Sequence, residues 1–294
     1  MNNKKQMSWF LKVVLLLGSA FVGLLIVAMG LLLIYGPDLS SKTAQMNTMV
    51  AQNIVAFFLP VLFLALLLFK TENTPVAKTM WMSKAPTFKS ILLVVLVWIV
   101  ALPAMNYIVE WNDSIHLPTF LKDVEKYLRD MEDSAQAVTS SLLETDTWGK
   151  MFMMVLIVGV LTGLGEETFF RAGLLGSMHN GKVNRHVAIW TVAILFSAFH
   201  MQFYGFVPRM LLGAWFGYVM LWCGEVWTPI IGHALNNGMV VVMTFLSNKH
   251  IIDENYIDKL GNDNHWLALG SAVLTVIVII IFMRKRNTNT TKTI

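Results

Sequence analysis

Eight apolar stretches, each close to the length that crosses a bilayer, dominate the sequence. A transmembrane helix needs about 20 mostly apolar residues, and lipid leaves the backbone no other hydrogen-bond partner than its own helix. Only 14% of the residues are charged, against roughly 25% in a soluble domain. The sequence therefore predicts an all-α polytopic membrane protein of about eight transmembrane helices, at 11–35, 51–69, 89–109, 150–174, 186–205, 207–223, 228–247 and 265–283.

Three of these stretches have unusual features. The first follows a basic head, as a signal peptide does, but it exceeds the 7–15 apolar residues of a signal sequence and is interpreted as an uncleaved span. The fifth and sixth are separated only by Phe203 to Pro208, a short connection between two full spans.

The basic residues lie at alternate span ends, which predicts the orientation. Lysine and arginine accumulate on the cytoplasmic side of a membrane protein. With the N-terminus placed inside, eight spans put both termini in the cytoplasm of a cell (inner) membrane protein. The pI near 9.1 could suggest a nucleic-acid partner. Because the basic residues lie at span ends, we predict no nucleic-acid partner and expect the bilayer as the partner instead. The inside residues are Lys4, Lys5, Lys12, Lys70, Lys78, Lys84, Lys89, Arg171, Lys182, Arg185, Arg284, Lys285, Arg286 and Lys292.

The longest connection, about 110–149, is acidic and is predicted to lie outside. Its residues Leu121, Val124, Leu128 and Met131 recur at helical spacing, which predicts a short amphipathic helix. Such a helix lies on the membrane surface or caps the bundle. A role in admitting the substrate is the alternative interpretation.

Two adjacent glutamates, Glu166 and Glu167, interrupt the fourth apolar stretch. An ionised carboxylate in hydrocarbon costs about 2.5 kcal/mol or more, which favours a function for this pair. Glu167 and Arg171 are four residues apart and can form an ion pair along the helix. Adjacent helical residues point about 100° apart, so Glu166 faces another direction and can point into a cavity. A buried ion-pair brace is the structural alternative, and Gly163 and Gly165 predict close approach of a neighbouring helix.

Histidines in two later stretches complete the candidate site. His200 ends the fifth stretch, and His233 lies one turn before Asn237 on one face of the seventh. Asn236 faces elsewhere and is predicted to donate between helices. At 1.5 Å per residue, Glu166, His233 and His200 lie roughly 12, 8 and 20 Å from the cytoplasmic side. We therefore expect them to line one polar cavity that faces the cytoplasm.

Two chemistries fit this set. Glu166 beside His200 can take a proton from water, while His233 and Asn237 donate to the oxyanion formed on a carbonyl. Alternatively, Glu166, His200 and His233 are a plausible zinc triad with an open position for water. The HExxH arrangement is absent, and the single cysteine, Cys223, excludes a multi-cysteine metal site. The residues alone do not decide between the two.

Three ordered motifs now point to a family. Glu166–Glu167 with Arg171, Phe196 with His200, and His233 with Asn237 resemble the motifs of the CPBP (CAAX prenyl protease and bacteriocin-processing, or Abi) intramembrane proteases. The resemblance implies that Glu166 activates water with help from His200, that His233 and Asn237 form the oxyanion site, and that Glu167 and Arg171 support them. It implies a membrane-associated peptide or protein substrate and roles in CAAX-like processing, bacteriocin maturation or immunity. Of its two proposed mechanisms, we favour the metal-free one, with zinc as the alternative.

The resemblance also suggests a division of the chain. Residues 1–149 form three transmembrane helices plus the external acidic loop, 150–247 the catalytic CPBP/Abi-like core, and 248–294 the last transmembrane helix and cytoplasmic tail. Two other functions stay open: a non-catalytic membrane binding or immunity protein, and a proton-coupled transporter. No internal repeat supports the transporter.

Overall fold

The structure is a computed structural model that describes residues 6–253 and 259–290, and this part of the chain is helical without strands. Its main helices are α1 (Trp9–Tyr35), α2 (Lys42–Glu72), α3 (Val76–Thr79), α4 (Phe88–Asp113), α5 (Lys122–Leu143), α6 (Trp148–Asn180), α7 (Arg185–Ala198), α8 (Phe206–Cys223), α9 (Trp227–Asn248) and α10 (His265–Thr290). The predicted all-α polytopic fold is confirmed, and the amphipathic helix expected in the 110–149 loop is α5.

Seven of the described helices are long and apolar enough to cross a membrane; the fifth predicted span, 186–205, is different. Its helix, α7, ends at Ala198 after 14 residues, which is about 21 Å and short of a bilayer core. Met201 has a positive φ of 55°, which turns the chain toward α8. The eight-span prediction is therefore not confirmed, because this stretch is a shorter helix followed by a turn.

The turn after α7 nevertheless reaches the end of the bundle that carries α5, here called the α5 face. Asn112, at the end of α4, donates through Nδ2 to the carbonyl of Phe203 (3.2 Å) and accepts from the backbone N–H of Val207 (2.7 Å). At the opposite face the N–H of Val226 donates to the carbonyl of Trp81 (3.0 Å). The predicted orientation of these faces relative to the cytoplasm stays a prediction.

Helix α6 is the centre of the bundle and is not uniformly α-helical. Two π-helical segments, Val155–Leu161 and Thr168–Leu175, flank the α-helical Thr162–Glu167. Two glycines let neighbours approach this segment. A Cβ on Gly163 would lie 3.2 Å from backbone atoms of α9, and one on Gly165 would lie 2.7 Å from Asn53 Oδ1 of α2. The close approach predicted at both glycines is present.

A buried apolar cluster supports α6 from the other side. Leu16 of α1, Leu64 of α2, Phe169 and Phe170 of α6 and Phe196 of α7 all belong to it and are at most 2% exposed. Because lipid is as apolar as these side chains, the cluster stabilises the fold through close packing between the helices. By contrast, the candidate spans in α1 and α10 leave most of their apolar residues exposed, which suits contact with lipid.

Candidate active site

Glu167 lies at the centre of a closed polar cluster. It is 0% exposed, and its Oε1 is 2.9 Å from Arg171 Nη1 in an ion pair along α6. The same Oε1 is 2.7 Å from His233 Nδ1 of α9. The pairing of Glu167 with Arg171 predicted from the i, i+4 spacing is present, and the contact with His233 is additional.

Arg171 is buried completely, and three elements hold its guanidinium. Besides the ion pair, Nη2 donates to the carbonyl of Gly213 in α8 (3.1 Å). The guanidinium carbon lies 4.4 Å from the centre of the Phe196 ring of α7. An arginine needs such partners when it is desolvated, because an unpaired buried charge is strongly unfavourable. Arg171 therefore ties α6 to α7 and α8 at the level of the glutamates.

His233 is oriented from three directions. Its ring stacks on Phe216 with 5.6 Å between centres and meets the edge of Phe196 at 6.0 Å. Since the ionised, arginine-paired Glu167 accepts at Nδ1, the proton of a neutral His233 sits on Nδ1. Its Nε2 is then an acceptor, and it lies 3.8 Å from Glu166 Oε2.

Glu166 differs from its neighbour in what it contacts. Its side chain is 12% exposed, and Oε2 is buried without a hydrogen-bond partner in the described part of the chain. A buried carboxylate oxygen without a partner is unfavourable by at least about 1–3 kcal/mol. This oxygen is therefore free to bind a proton, a water molecule or a substrate group. The prediction that Glu166 faces away from the ion pair agrees with the geometry.

His200 lies in the turn after α7, outside regular helix. Its Nδ1 is 2.8 Å from the carbonyl of Phe196, which can only accept, so Nδ1 carries the proton and Nε2 is an acceptor. His200 interacts electrostatically with Glu166 and His233. The structure thus brings His200 beside the pair without a direct hydrogen bond among the contacts described.

The two asparagines deviate from the predicted arrangement. Asn237 Nδ2 donates to the carbonyl of Val158 in α6 (3.3 Å), eight residues before Glu166. Asn236 Nδ2 donates to Asn237 Oδ1 (3.2 Å), so the helix–helix donor predicted at Asn236 is Asn237 instead. One N–H of Asn237 remains for the site, and its other N–H fastens α9 to α6.

The zinc alternative can be tested against the same side chains. Within the described residues no group of three or more His, Cys, Asp or Glu side chains lies close enough to hold a metal ion. His233 Nδ1 faces Glu167, and only Nε2 points to Glu166. Glu166, His200 and His233 are thus not gathered into a metal triad in the described part of the chain, and the choice between the zinc and the metal-free mechanism stays a prediction.

A cavity of about 800 Å³ lies elsewhere, at the α5 face. Lys42, Glu144, Asp146, Lys150 and Lys249 are among its lining residues, and the predicted site residues are not. The prediction of one polar cavity facing the cytoplasm and lined by Glu166, His200 and His233 is not confirmed.

Sequence reasoning missed Arg209, in the first turn of α8. Its Nη2 donates to Gln202 Oε1 (2.9 Å), and its charge interacts with Glu166 and His200. A signal was available, because an arginine three residues into an apolar stretch is costly and marks a candidate site. The partner, Gln202, lies in the turn and could not be inferred from spacing.

One comparison with known proteins finds a match within the chain. Residues 148–239, from the start of α6 into α9, match the family described as type II CAAX prenyl endopeptidase Rce1-like. The chain carries an Rce1-like domain. The resemblance to the CAAX protease family is thereby confirmed, and the domain contains every residue of the three motifs. No curated protein and no solved structure matches the chain.

The Rce1-like domain supports an intramembrane endopeptidase. Together with the seven apolar helices of the described residues, it supports a multi-pass membrane protein. The domain includes α6 to α8 and most of α9, the helices that bring Glu166, His200 and His233 together. The mechanism, the substrate and the role of each residue are matters for proposal.

Proposed function

We propose that the protein is an intramembrane endopeptidase that hydrolyses a peptide bond of a membrane-associated protein or peptide with water activated by Glu166. The observation that supports this most directly is the unpartnered Oε2 of Glu166, 3.8 Å from His233 Nε2. A carboxylate in partly dry surroundings is suited to take a proton from water. The Rce1-like domain supplies the reaction class.

The reaction proceeds in two steps. Glu166 takes a proton from water, with the Nε2 acceptor of His200 helping to orient that water, and the hydroxide attacks the carbonyl carbon of the peptide. The carbon–nitrogen bond then breaks, and Glu166 returns the proton to the leaving amine. Water is thus divided between the new carboxylate and the new amine, and no other reactant is consumed.

Glu167 and Arg171 have a positioning role in this scheme. Arg171 forms an ion pair with Glu167, and Glu167 fixes the proton of a neutral His233 on Nδ1. A histidine whose second nitrogen is held by a carboxylate keeps one ring orientation and one tautomer. The Nε2 of His233 is thereby kept pointing at Glu166.

His233 and Asn237 are proposed to donate hydrogen bonds to the oxyanion. His233 can do so in only one protonation state. Because Nε2 is an acceptor in the neutral ring, His233 donates only after it has gained a second proton. Glu166, 3.8 Å away, can pass it the proton taken from water, and that same proton returns through Glu166 to the leaving amine when the carbon–nitrogen bond breaks. Asn237 contributes the N–H that Val158 does not use.

The substrate is proposed by class. CAAX-like processing and bacteriocin processing or immunity both fit a peptide that reaches the site from the bilayer. The site is proposed to work without a metal, with zinc as the alternative, and both termini are proposed to lie in the cytoplasm of the cell (inner) membrane. A non-catalytic binding protein is the competing function.

The test compares the termini of membrane proteins in cells that carry the wild-type chain, Glu166→Gln or the matched control Glu110→Gln. Glu110 is an exposed glutamate near the end of α4. We expect new termini with the wild-type chain and with Glu110→Gln, and none with Glu166→Gln at equal expression. Identical termini in all three would contradict the proposal and favour the binding function.

A further inference from the structure

Arg209 is held in one position by the turn that carries His200. Its Nη2 donates to Gln202 Oε1 (2.9 Å), seven residues earlier in the chain. The guanidinium folds back over Gly205, where a Cβ would lie only 2.6 Å from Nη2. A larger residue at position 205 would therefore displace the guanidinium.

Helix α5 fixes the orientation of the Gln202 amide. Gln202 Nε2 donates to Glu132 Oε1 (2.9 Å), so its oxygen must face the other way, toward Arg209. The second carboxylate oxygen, Glu132 Oε2, accepts from the backbone N–H of Tyr204 (3.2 Å). Arg129 lies with its guanidinium carbon 3.3 Å from the centre of the Tyr204 ring. Two residues of α5 thus hold the turn from outside.

The other end of the guanidinium is unused. Arg209 Nη1 is buried and has no hydrogen-bond partner among the described residues. A buried charged donor without a partner is more costly than a neutral one, for which the penalty is about 1–3 kcal/mol. The charge of Arg209 interacts most with Glu132 and also with Glu166 and His200. Nη1 is therefore suited to a further acceptor supplied by a substrate at the candidate site.

The proposed hydrolysis supplies such an acceptor, the carbonyl oxygen of the scissile bond. Few other side chains of the candidate site can donate a hydrogen bond to it. Neutral His200 and neutral His233 both present Nε2 as an acceptor, because each Nδ1 proton is already donated. Asn237 has one N–H left. The carbonyl oxygen under attack gains a negative charge, which a fixed cationic donor stabilises more than it stabilises the neutral carbonyl.

We propose that Arg209 is a catalytic residue whose Nη1 donates to the carbonyl oxygen of the scissile bond as that oxygen becomes negatively charged. Gln202 and Glu132 are positioning residues that keep the guanidinium in place. This inference rests on the proposed function. It also gives α5 an indirect role in the reaction, because Glu132 of α5 holds Gln202, the hydrogen-bond partner of Arg209.

The test uses the full-length protein in detergent and a quenched fluorogenic peptide that contains a cleavage site found from the termini. Removing a single oxyanion donor lowers kcat on the order of 10²–10³-fold. We expect that loss in Arg209→Ala, with KM changed only a few-fold, and partial recovery of kcat on addition of guanidinium ion. Gln202→Met should give a smaller loss of kcat at the same KM. Arg185→Ala, at an exposed arginine, is the control and should match wild type.

Several outcomes would overturn the inference. These are a kcat of Arg209→Ala within a few-fold of wild type, a loss that appears in KM alone, or a kcat loss that guanidinium does not recover while the variant unfolds at the wild-type temperature. If Arg209→Ala does not fold, Arg209→Lys replaces it, and an unchanged kcat in that variant contradicts a donor of fixed geometry. Failure of the proposed function is separable, because Glu166→Gln would then cleave the peptide as fast as wild type.

Discussion

The two sides of α6 at its glutamate pair differ in the partners of their carboxylates and in their exposure to solvent. On the Glu167 side, an arginine and a histidine converge on one carboxylate oxygen within 2.9 Å, and the group is closed to solvent. On the Glu166 side, the nearest ionisable nitrogen is 3.8 Å from an oxygen without a hydrogen bond. Neighbouring residues of the same type therefore have opposite environments.

This difference indicates a division of labour between the two carboxylates. The Glu167 cluster resists change, because Arg171 compensates the charge of a fully buried carboxylate. Glu166 has no cationic partner at that distance among the described residues, so a proton or a water molecule improves the environment of its carboxylate. The Glu167 side orients His233, and His233 in turn faces Glu166. Three further measurements test this difference between the two carboxylates.

The largest effect is expected from Arg171→Met, which opens the closed side. Removing one partner of a buried ion pair leaves Glu167 charged and uncompensated, at a cost of about 3–5 kcal/mol. Thermal unfolding in detergent should fall well below that of wild type. The double variant Arg171→Met with Glu167→Gln should recover part of the loss, since no buried charge remains unpaired.

Arg185→Met is the control for that measurement, because Arg185 is exposed at the start of α7. It should unfold close to the wild-type temperature. Equal losses in Arg171→Met and Arg185→Met would mean that the closed cluster contributes nothing, and the contrast between the two sides of α6 would be wrong.

A smaller effect is expected from Gly165→Ala, which pushes α2 away from the glutamates. The new Cβ would lie 2.7 Å from Asn53 Oδ1 and 2.9 Å from the Asn53 carbonyl. Asn53 has little freedom to move, since its Nδ2 donates to Met49 (2.9 Å) and Thr162 (3.3 Å). Overpacking of this kind costs about 1–3 kcal/mol. Unfolding in detergent and peptide cleavage should both be impaired.

Gly18→Ala is the matched change, since nothing lies within 4 Å of its added Cβ. It should leave stability and cleavage close to wild type. If Gly165→Ala and Gly18→Ala have the same effect on unfolding and cleavage, close contact between α2 and α6 does not position the glutamate pair.

The smallest effect is expected from removal of metal ions. Because no three ligand side chains of the described residues lie close enough to hold a metal ion, we expect that a chelator does not change the rate of peptide cleavage. The measurement is the initial rate with and without EDTA after dialysis. A loss that zinc restores would show that both sides of α6 rearrange around a metal, and the metal-free scheme would be replaced.

Local features of the site could be predicted from the sequence, and distant contacts could not. The Glu167–Arg171 pair follows from four-residue spacing in one helix, and the close approach at Gly163 and Gly165 follows from the missing side chains. The motif residues could be assigned to helices because apolar stretches are long. Each of these inferences depends on only one element at a time.

The contacts between elements required the structure. The hydrogen bond of His233 with Glu167 joins residues 66 apart and depends on how α9 rotates against α6. The hydrogen bond from Asn237 to the carbonyl of Val158 likewise depends on how α9 rotates against α6. Arg209 needs Gln202 from the turn and Glu132 from α5, 70 residues before Gln202. Helix α7 ends early because the chain turns near Met201, and a hydropathy pattern cannot predict such a turn.

The π-helical segments of α6 make the length of that helix part of the site. A π-turn holds one more residue than an α-turn, so each segment behaves like a residue inserted into an ordinary helix. Deleting one residue from Val155–Leu161 would rotate the glutamate pair by about 100° around the helix axis relative to Trp148–Met154. Insertions and deletions in α6 should therefore be poorly tolerated even at positions whose side chains face lipid. The number of residues between Trp148 and Glu166 is itself constrained, whatever those residues are.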